Sequence, residues 1–119
     1  MTESSTLWPD PAEIEIQPEA VAALQKAGIP LRLIDCREPD EWDITKIAGA
    51  ELLPLGEFGA RHAAVLTTPG ESIVIHCHHG MRSAKAALFL RQKGYQNVWS
   101  MARGIEGWSL EVDPAVARY

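Results

Sequence analysis

Residues 72–83 read Ser72-Ile73-Val74-Ile75-His76-Cys77-His78-His79-Gly80-Met81-Arg82-Ser83, and this stretch decides the fold. Ser72 to His76 is a β-branched strand. Ser83 to Lys93 carries Ala84, Ala86, Ala87, Leu88, Phe89 and Leu90 on more than one face, a largely buried helix stopped by Gly94. In open α/β sheets, ligands sit outside the carboxyl ends of strands, where the following helix turns its free N–H groups toward them. Cys77-His78-His79-Gly80-Met81-Arg82 occupies that place.

The flanking segments repeat the alternation. Leu7-Trp8-Pro9-Asp10-Pro11 is too proline-rich for a helix or inner strand and reads as an arm. Glu13 to Ile16 alternates polar and apolar, an edge-strand pattern. Pro18 suits a first helical turn, and the helix through Ala27 ends at Gly28. Leu31 to Ile34, closing on Asp35, is a strand buried on both faces. Glu38 to Trp42 is a turn feeding a short helix with acidic residues at its favoured end. Glu51-Leu52-Leu53 is a strand ended by Pro54, Phe58 to Leu66 has helical spacing, and Thr67 to Gly70 is a turn. Asn97 to Met101 is the last strand and Gly104 to Leu110 the last helical turn. The expected architecture is a three-layer α/β domain: a mainly parallel five-stranded sheet with helices on both faces. The expected boundaries are an arm at 1–12, a domain at 13–112 and a C-terminal tail at 113–119.

Composition narrows the class. The chain has 119 residues, 46% hydrophobic and 23% charged, so one self-sufficient globular domain is expected. Eleven basic against sixteen acidic residues give a net charge of −5, which argues against nucleic acid or an anionic membrane as partner. No apolar run approaches a membrane span, the first ten residues do not read as a signal peptide, and two cysteines do not make a secreted scaffold. A cytoplasmic monomer is expected.

Cys77 opens the loop. The positive end of the following helix and the Arg82 guanidinium both favour its thiolate, and the loop amides form a nest suited to an anion.

Three segments carry a family resemblance. Leu33-Ile34-Asp35-Cys36-Arg37-Glu38-Pro39-Asp40-Glu41-Trp42, followed by Ile47-Ala48-Gly49-Ala50, resembles the first half of a rhodanese-like domain. Cys77 to Ser83 resembles that family's active-site loop, and Gly104-Ile105-Glu106-Gly107-Trp108 its C-terminal signature. The resemblance implies a thiosulfate sulfurtransferase without cofactor or metal. In such proteins the loop cysteine takes sulfur from a donor such as thiosulfate, becomes a persulfide, and passes the sulfur to cyanide or a thiol. It implies Cys77 as nucleophile, with the loop of His78, His79, Gly80, Met81, Arg82 and Ser83 binding the substrate. Arg82 is expected to hold the anionic donor. Asp35, Arg37 and Glu41 are expected in support, the last two as an ion pair at the sheet's rim. The expected partners are a small sulfur donor and a thiol or cyanide acceptor, or an acceptor protein. Thr45-Lys46 stands where many relatives have Gly-His; a basic residue is kept with a different geometry and pKa, so no role of that histidine is carried over to Lys46.

Competing readings remain. Cysteine phosphatases share a strand–loop–helix anion cradle, but with five residues between cysteine and arginine where this chain has four. His76 to His79 is dense in metal-ligand types, with Cys36 and His62 as spare candidates, yet strand alternation sends His76 and Cys77 to opposite faces. A non-catalytic binding module is the third class. Cys36 reads as a core residue, with a resolving thiol for Cys77 as the competing reading. Trp8 marks either a partner surface or local packing.

Overall fold

The structure, a computed structural model, describes residues 7–119; residues 1–6 of the expected arm lie outside the described range. The strands are β1 (Glu15–Ile16), β2 (Arg32–Asp35), β3 (Glu51–Leu52), β4 (Ile73–His76) and β5 (Val98–Met101). The helices are α1 (Pro18–Lys26), α2 (Pro39–Ile44), α3 (Phe58–Val65), α4 (Met81–Gln92) and α5 (Gly104–Glu111), with a 3-10 turn at Leu55–Glu57. The sheet order is β1-β5-β4-β2-β3 and every pairing is parallel. This is the expected α/β architecture.

Side-chain alternation along β4 divides the core in two. Ile73 and Ile75 face a cluster with Phe58 of α3 and Ala86, Ala87 and Leu90 of α4. Val74 faces the opposite cluster, built with Val21 and Leu24 of α1 and Ile105 and Trp108 of α5. The same alternation puts His76 on the second face and Cys77 on the first, as the sequence indicates. Trp8 stacks on Trp99 of β5, ring centroids 4.9 Å apart, so it serves local packing.

Two differences bear on function. Helix α4 starts at Met81, two residues earlier than its pattern suggests, because Gly80 takes φ 110° and forms the N-cap. Asp113–Tyr119, expected as a tail, folds back onto the domain: Val116 is buried, its carbonyl accepts the Ser109 hydroxyl at 2.7 Å, and Arg118 pairs with Glu106 at 2.7 Å. Among the described residues, no helix is long and apolar enough to cross a membrane.

Candidate active site

Central strands β2 and β4 end side by side, with Asp35 opposite His76. The next residue of each chain segment is a cysteine. Cys36 N–H donates to the His76 carbonyl at 2.9 Å, which continues the ladder and sets Cys36 beside Cys77. Both are free thiols in the same apolar cluster, and Cys77 is 1% exposed.

The loop closes on the Cys77 sulfur. Because α4 begins at Met81, the Gly80 and Ser83 N–H groups donate to Sγ at 3.1 and 3.4 Å. The remaining amides of the expected nest make no such contact, since the early helix start leaves only a short arc of loop. The Ser83 hydroxyl lies 3.5 Å from Sγ, donates to the Gly80 carbonyl at 3.2 Å, and sits 2.7 Å from Ser100 Oγ. Buried Ser100, which the sequence reading missed, is the polar exception in the otherwise apolar run of β5.

Helix α5 fixes the loop from behind. Ile105 N–H donates to the Cys77 carbonyl at 2.8 Å and Glu106 N–H to the His78 carbonyl at 3.2 Å. Free N–H groups of a helix N-terminus thus hold the loop's first two carbonyls. Gly104 makes this approach possible: with φ 57°, any Cβ would collide with the Cys77 carbonyl oxygen and lie 2.6 Å from that of His78.

This environment holds the Cys77 thiol far below its ordinary value, at about 4. The adjacent Cys36 thiol contributes most; burial opposes it; the Ser83 hydroxyl and the Ser83 and Gly80 N–H groups add to it. The same adjacency and burial push the Cys36 thiol up, so it keeps its proton. Sequence reasoning credited Arg82 and the helix end with activating Cys77; the helix end acts directly, through the Gly80 and Ser83 N–H groups on the sulfur, while the largest contribution comes from Cys36.

The charged residues pair differently from expectation. Arg82, not Arg37, takes the Glu41 carboxylate, with Nη1 and Nη2 on its two oxygens at 2.6 and 2.9 Å. Arg37 is fully buried against Asp35, donating from Nε at 2.9 Å and Nη2 at 2.6 Å, and reaches only the carbonyl of Glu41. The reason is local: Arg37 precedes α2, so its spacing from Glu41 is not helical, while Asp35 closes a tight turn with it. Arg37 also donates to the Thr45 carbonyl at 2.7 Å, a contact indifferent to the side chain at that position. Lys46 turns away to lie over the Trp42 ring, 5.0 Å from its centroid.

Tyr119 joins the site, with no sequence signal to announce it. Its hydroxyl accepts from Arg37 Nη1 at 2.9 Å and donates to Glu41 at 2.8 Å. Its ring stacks on His78 at 4.0 Å, and His78 stacks on His79 at 3.9 Å. Burial, then the neighbouring His79, lowers the His78 pKa, which keeps its ring neutral near pH 7. Met81 points outward, 77% exposed, at the rim. The grooves lined by Leu66–Glu71 with Lys93–Gln96 and by Ile29–Arg32 with Gly70–Ser72 lie at the amino ends of the strands, the opposite end from Cys77.

Comparison with known proteins covers nearly all of this frame. The sequence profile of the Rhodanese-like domain matches residues 17–111. The chain is 33% identical over 90 residues to the Rhodanese-like/PpiC domain-containing protein 12, chloroplastic, of Arabidopsis thaliana, across 74% of this chain but 30% of that protein. It is 30% identical over 86 residues to the thiosulfate sulfurtransferase GlpE of Pseudoalteromonas translucida, spanning 72% of this chain and 80% of that one. Among solved structures, a rhodanese-related protein from Thermoplasma volcanium superposes with a TM-score of 0.73 at 28% identity, covering 88% of this chain and 98% of that one.

Proposed function

This chain belongs to the rhodanese-like domain family, and we propose that it is a sulfurtransferase whose Cys77 carries sulfane sulfur from thiosulfate or a persulfide donor to cyanide or a thiol. What supports this most directly is the setting of the Cys77 sulfur: it lies next to the Cys36 thiol and receives the Gly80 and Ser83 N–H groups, which together hold its thiol well below the ordinary value.

The chemistry is two displacements. The Cys77 thiolate attacks the outer sulfur of thiosulfate; the donor's S–S bond breaks, and sulfite leaves with the bonding pair. A persulfide, Cys77–S–S⁻, remains. An acceptor nucleophile then attacks the terminal sulfur, and the Cys77 thiolate departs, giving thiocyanate from cyanide or a new persulfide from a thiol. A low-pKa thiolate is both abundant at neutral pH and a good leaving group in the second step. Gly80 and Ser83 N–H stabilise the anionic sulfur in the resting state, and α5 holds the loop so that these groups need not reorganise. Arg82, braced by Glu41, sets positive charge beside the loop for the anionic donor.

No step calls for a cofactor. The reading includes a cytoplasmic monomer, with a small thiol or an acceptor protein as physiological partner. Sulfur transfer is favoured over phosphoryl transfer because four residues, not five, separate Cys77 from Arg82, one fewer than in the cradle of cysteine phosphatases. A paired assay tests this: thiosulfate:cyanide sulfur transfer is expected, and it vanishes in Cys77→Ser, while aryl phosphate is not hydrolysed. Phosphatase turnover without sulfur transfer would overturn the reading.

A further inference from the structure

Cys36 is a second buried sulfur nucleophile, and the two displacements above leave it unchanged. Its main chain is pinned on both sides: its N–H donates to the His76 carbonyl at 2.9 Å, and its carbonyl accepts Leu55 N–H at 3.0 Å. Neighbouring parallel strands run about 5 Å apart, inside the span of about 4.4–6.8 Å between Cα atoms that a disulfide bridges. Cys36 and Cys77 continue the register that pairs Asp35 with His76, and both side chains enter one apolar cluster with Leu53, Phe58 and Ala86.

We propose, on the basis of the sulfurtransferase reading, that Cys36 is an internal acceptor. It discharges the Cys77 persulfide as hydrosulfide and leaves a Cys36–Cys77 disulfide. The Cys36 proton passes to the terminal sulfur of Cys77–S–S⁻, and the Cys36 sulfur attacks the inner, Cys77 sulfur. The bond from Cys77 to the terminal sulfur breaks, and that sulfur leaves as HS⁻ with the bonding pair. The sulfane sulfur is reduced by two electrons and the two cysteines are oxidised to a disulfide, so no outside oxidant enters. A dithiol reductant returns the pair to its starting state.

The surroundings suit this branch. The neighbouring Cys77, and then burial, keep the proton on Cys36 in the resting state, which is the proton the departing sulfur needs. An outside acceptor attacks the terminal sulfur, whereas Cys36 attacks the inner one, so the two fates compete. A plentiful acceptor draws sulfur outward; a scarce one leaves the persulfide to Cys36 and converts the donor's sulfur to sulfide.

A single-turnover experiment under argon, without reductant, tests this. Wild type, Cys36→Ser and Cys36→Val each receive one equivalent of thiosulfate. Intact mass, free sulfide and non-reducing peptide maps are followed, and thermal melts confirm that the variants fold. Wild type is expected to release about one sulfide per chain, lose two hydrogens and yield a linked Cys36–Cys77 peptide, only when thiosulfate is added. Both variants are expected to retain one extra sulfur and release sulfide about tenfold more slowly. Excess cyanide should suppress the disulfide in wild type. Wild type that holds its extra sulfur as stably as the variants, or forms the disulfide without thiosulfate, overturns the internal acceptor and leaves sulfur transfer standing. Wild type that takes up no sulfur and forms no disulfide overturns both.

Discussion

Arg82 grips Glu41 through both ends of its guanidinium, at 2.6 and 2.9 Å from the two carboxylate oxygens. This joins the first turn of α4 to α2 across 41 residues of sequence. The pair is bidentate and about a fifth to a third exposed, so its main effect is to fix where the charge sits.

Opposite responses follow for the two partners. Arg82→Ala leaves an unpaired carboxylate beside the loop and should raise the KM for thiosulfate about tenfold. Glu41→Gln frees the guanidinium and should lower that KM several-fold, with little change for an uncharged donor. Steady-state kinetics with both donors measure this. Acid titration adds a second readout. Arg82 above all, with the Glu38 N–H and the Tyr119 hydroxyl, lowers Glu41 to about 2 against burial. Glu41 therefore adds stability that is full above its ordinary 4.5 and is lost as pH falls toward 2. Glu41→Gln should flatten that acid limb in thermal melts.

Thiol alkylation should separate the two cysteines. With Cys77 held at about 4, its reaction with iodoacetamide should be nearly independent of pH from about 6 to 9, where an ordinary thiol near 8.5 gains steeply. Cys36, which keeps its proton, should react far more slowly throughout. Peptide-resolved alkylation rates check both statements; a Cys77 profile rising through pH 8 contradicts them.

Gly104→Ala should be severely destabilising. Its Cβ would strike the Cys77 carbonyl oxygen and lie 2.6 Å from that of His78, both main-chain atoms, at a φ of 57°. Loss of about 2–4 kcal/mol is expected from overpacking and backbone strain combined. Denaturant unfolding measures it. Gly59→Ala, where a Cβ meets nothing within 4 Å inside α3, should be neutral or stabilising by up to about 1 kcal/mol.

What was readable in the sequence was local. The β-branched run before Cys77 and the alanine-rich helix after it need only neighbouring residues to declare themselves. The architecture and the place of Cys77 followed from them. The Arg–Glu pair expected from the family pattern was misassigned, because contacts across the fold hand Glu41 to Arg82 while Arg37 turns back to Asp35. Ser100 carried a faint signal as a polar residue in an apolar strand. Tyr119 carried none, since its bond to Arg37 closes a separation of 82 residues. The Gly104–Trp108 segment was recognised by pattern, but its physical task, holding the loop carbonyls, emerges only where α5 meets β4.

Substitutions at Tyr119 divide its two contacts. Tyr119→Phe keeps the ring on His78 and drops the bonds to Arg37 and Glu41, for an expected cost of about 1 kcal/mol. Tyr119→Ala removes the stack as well and should speed amide hydrogen exchange through His78–Arg82. Exchange rates equal in wild type and Tyr119→Ala would show that the ring does not order the loop.

Rapid acid quench after mixing the protein with thiosulfate, followed by intact mass and peptide mapping, tests the central claim most directly. At the earliest times the chain should gain one sulfur atom, mapped to Cys77. Cyanide should remove it as one thiocyanate per chain, and Cys77→Ser should gain nothing. No added sulfur at any time, or equal uptake by Cys77→Ser, would contradict the assignment of Cys77 as the sulfur carrier.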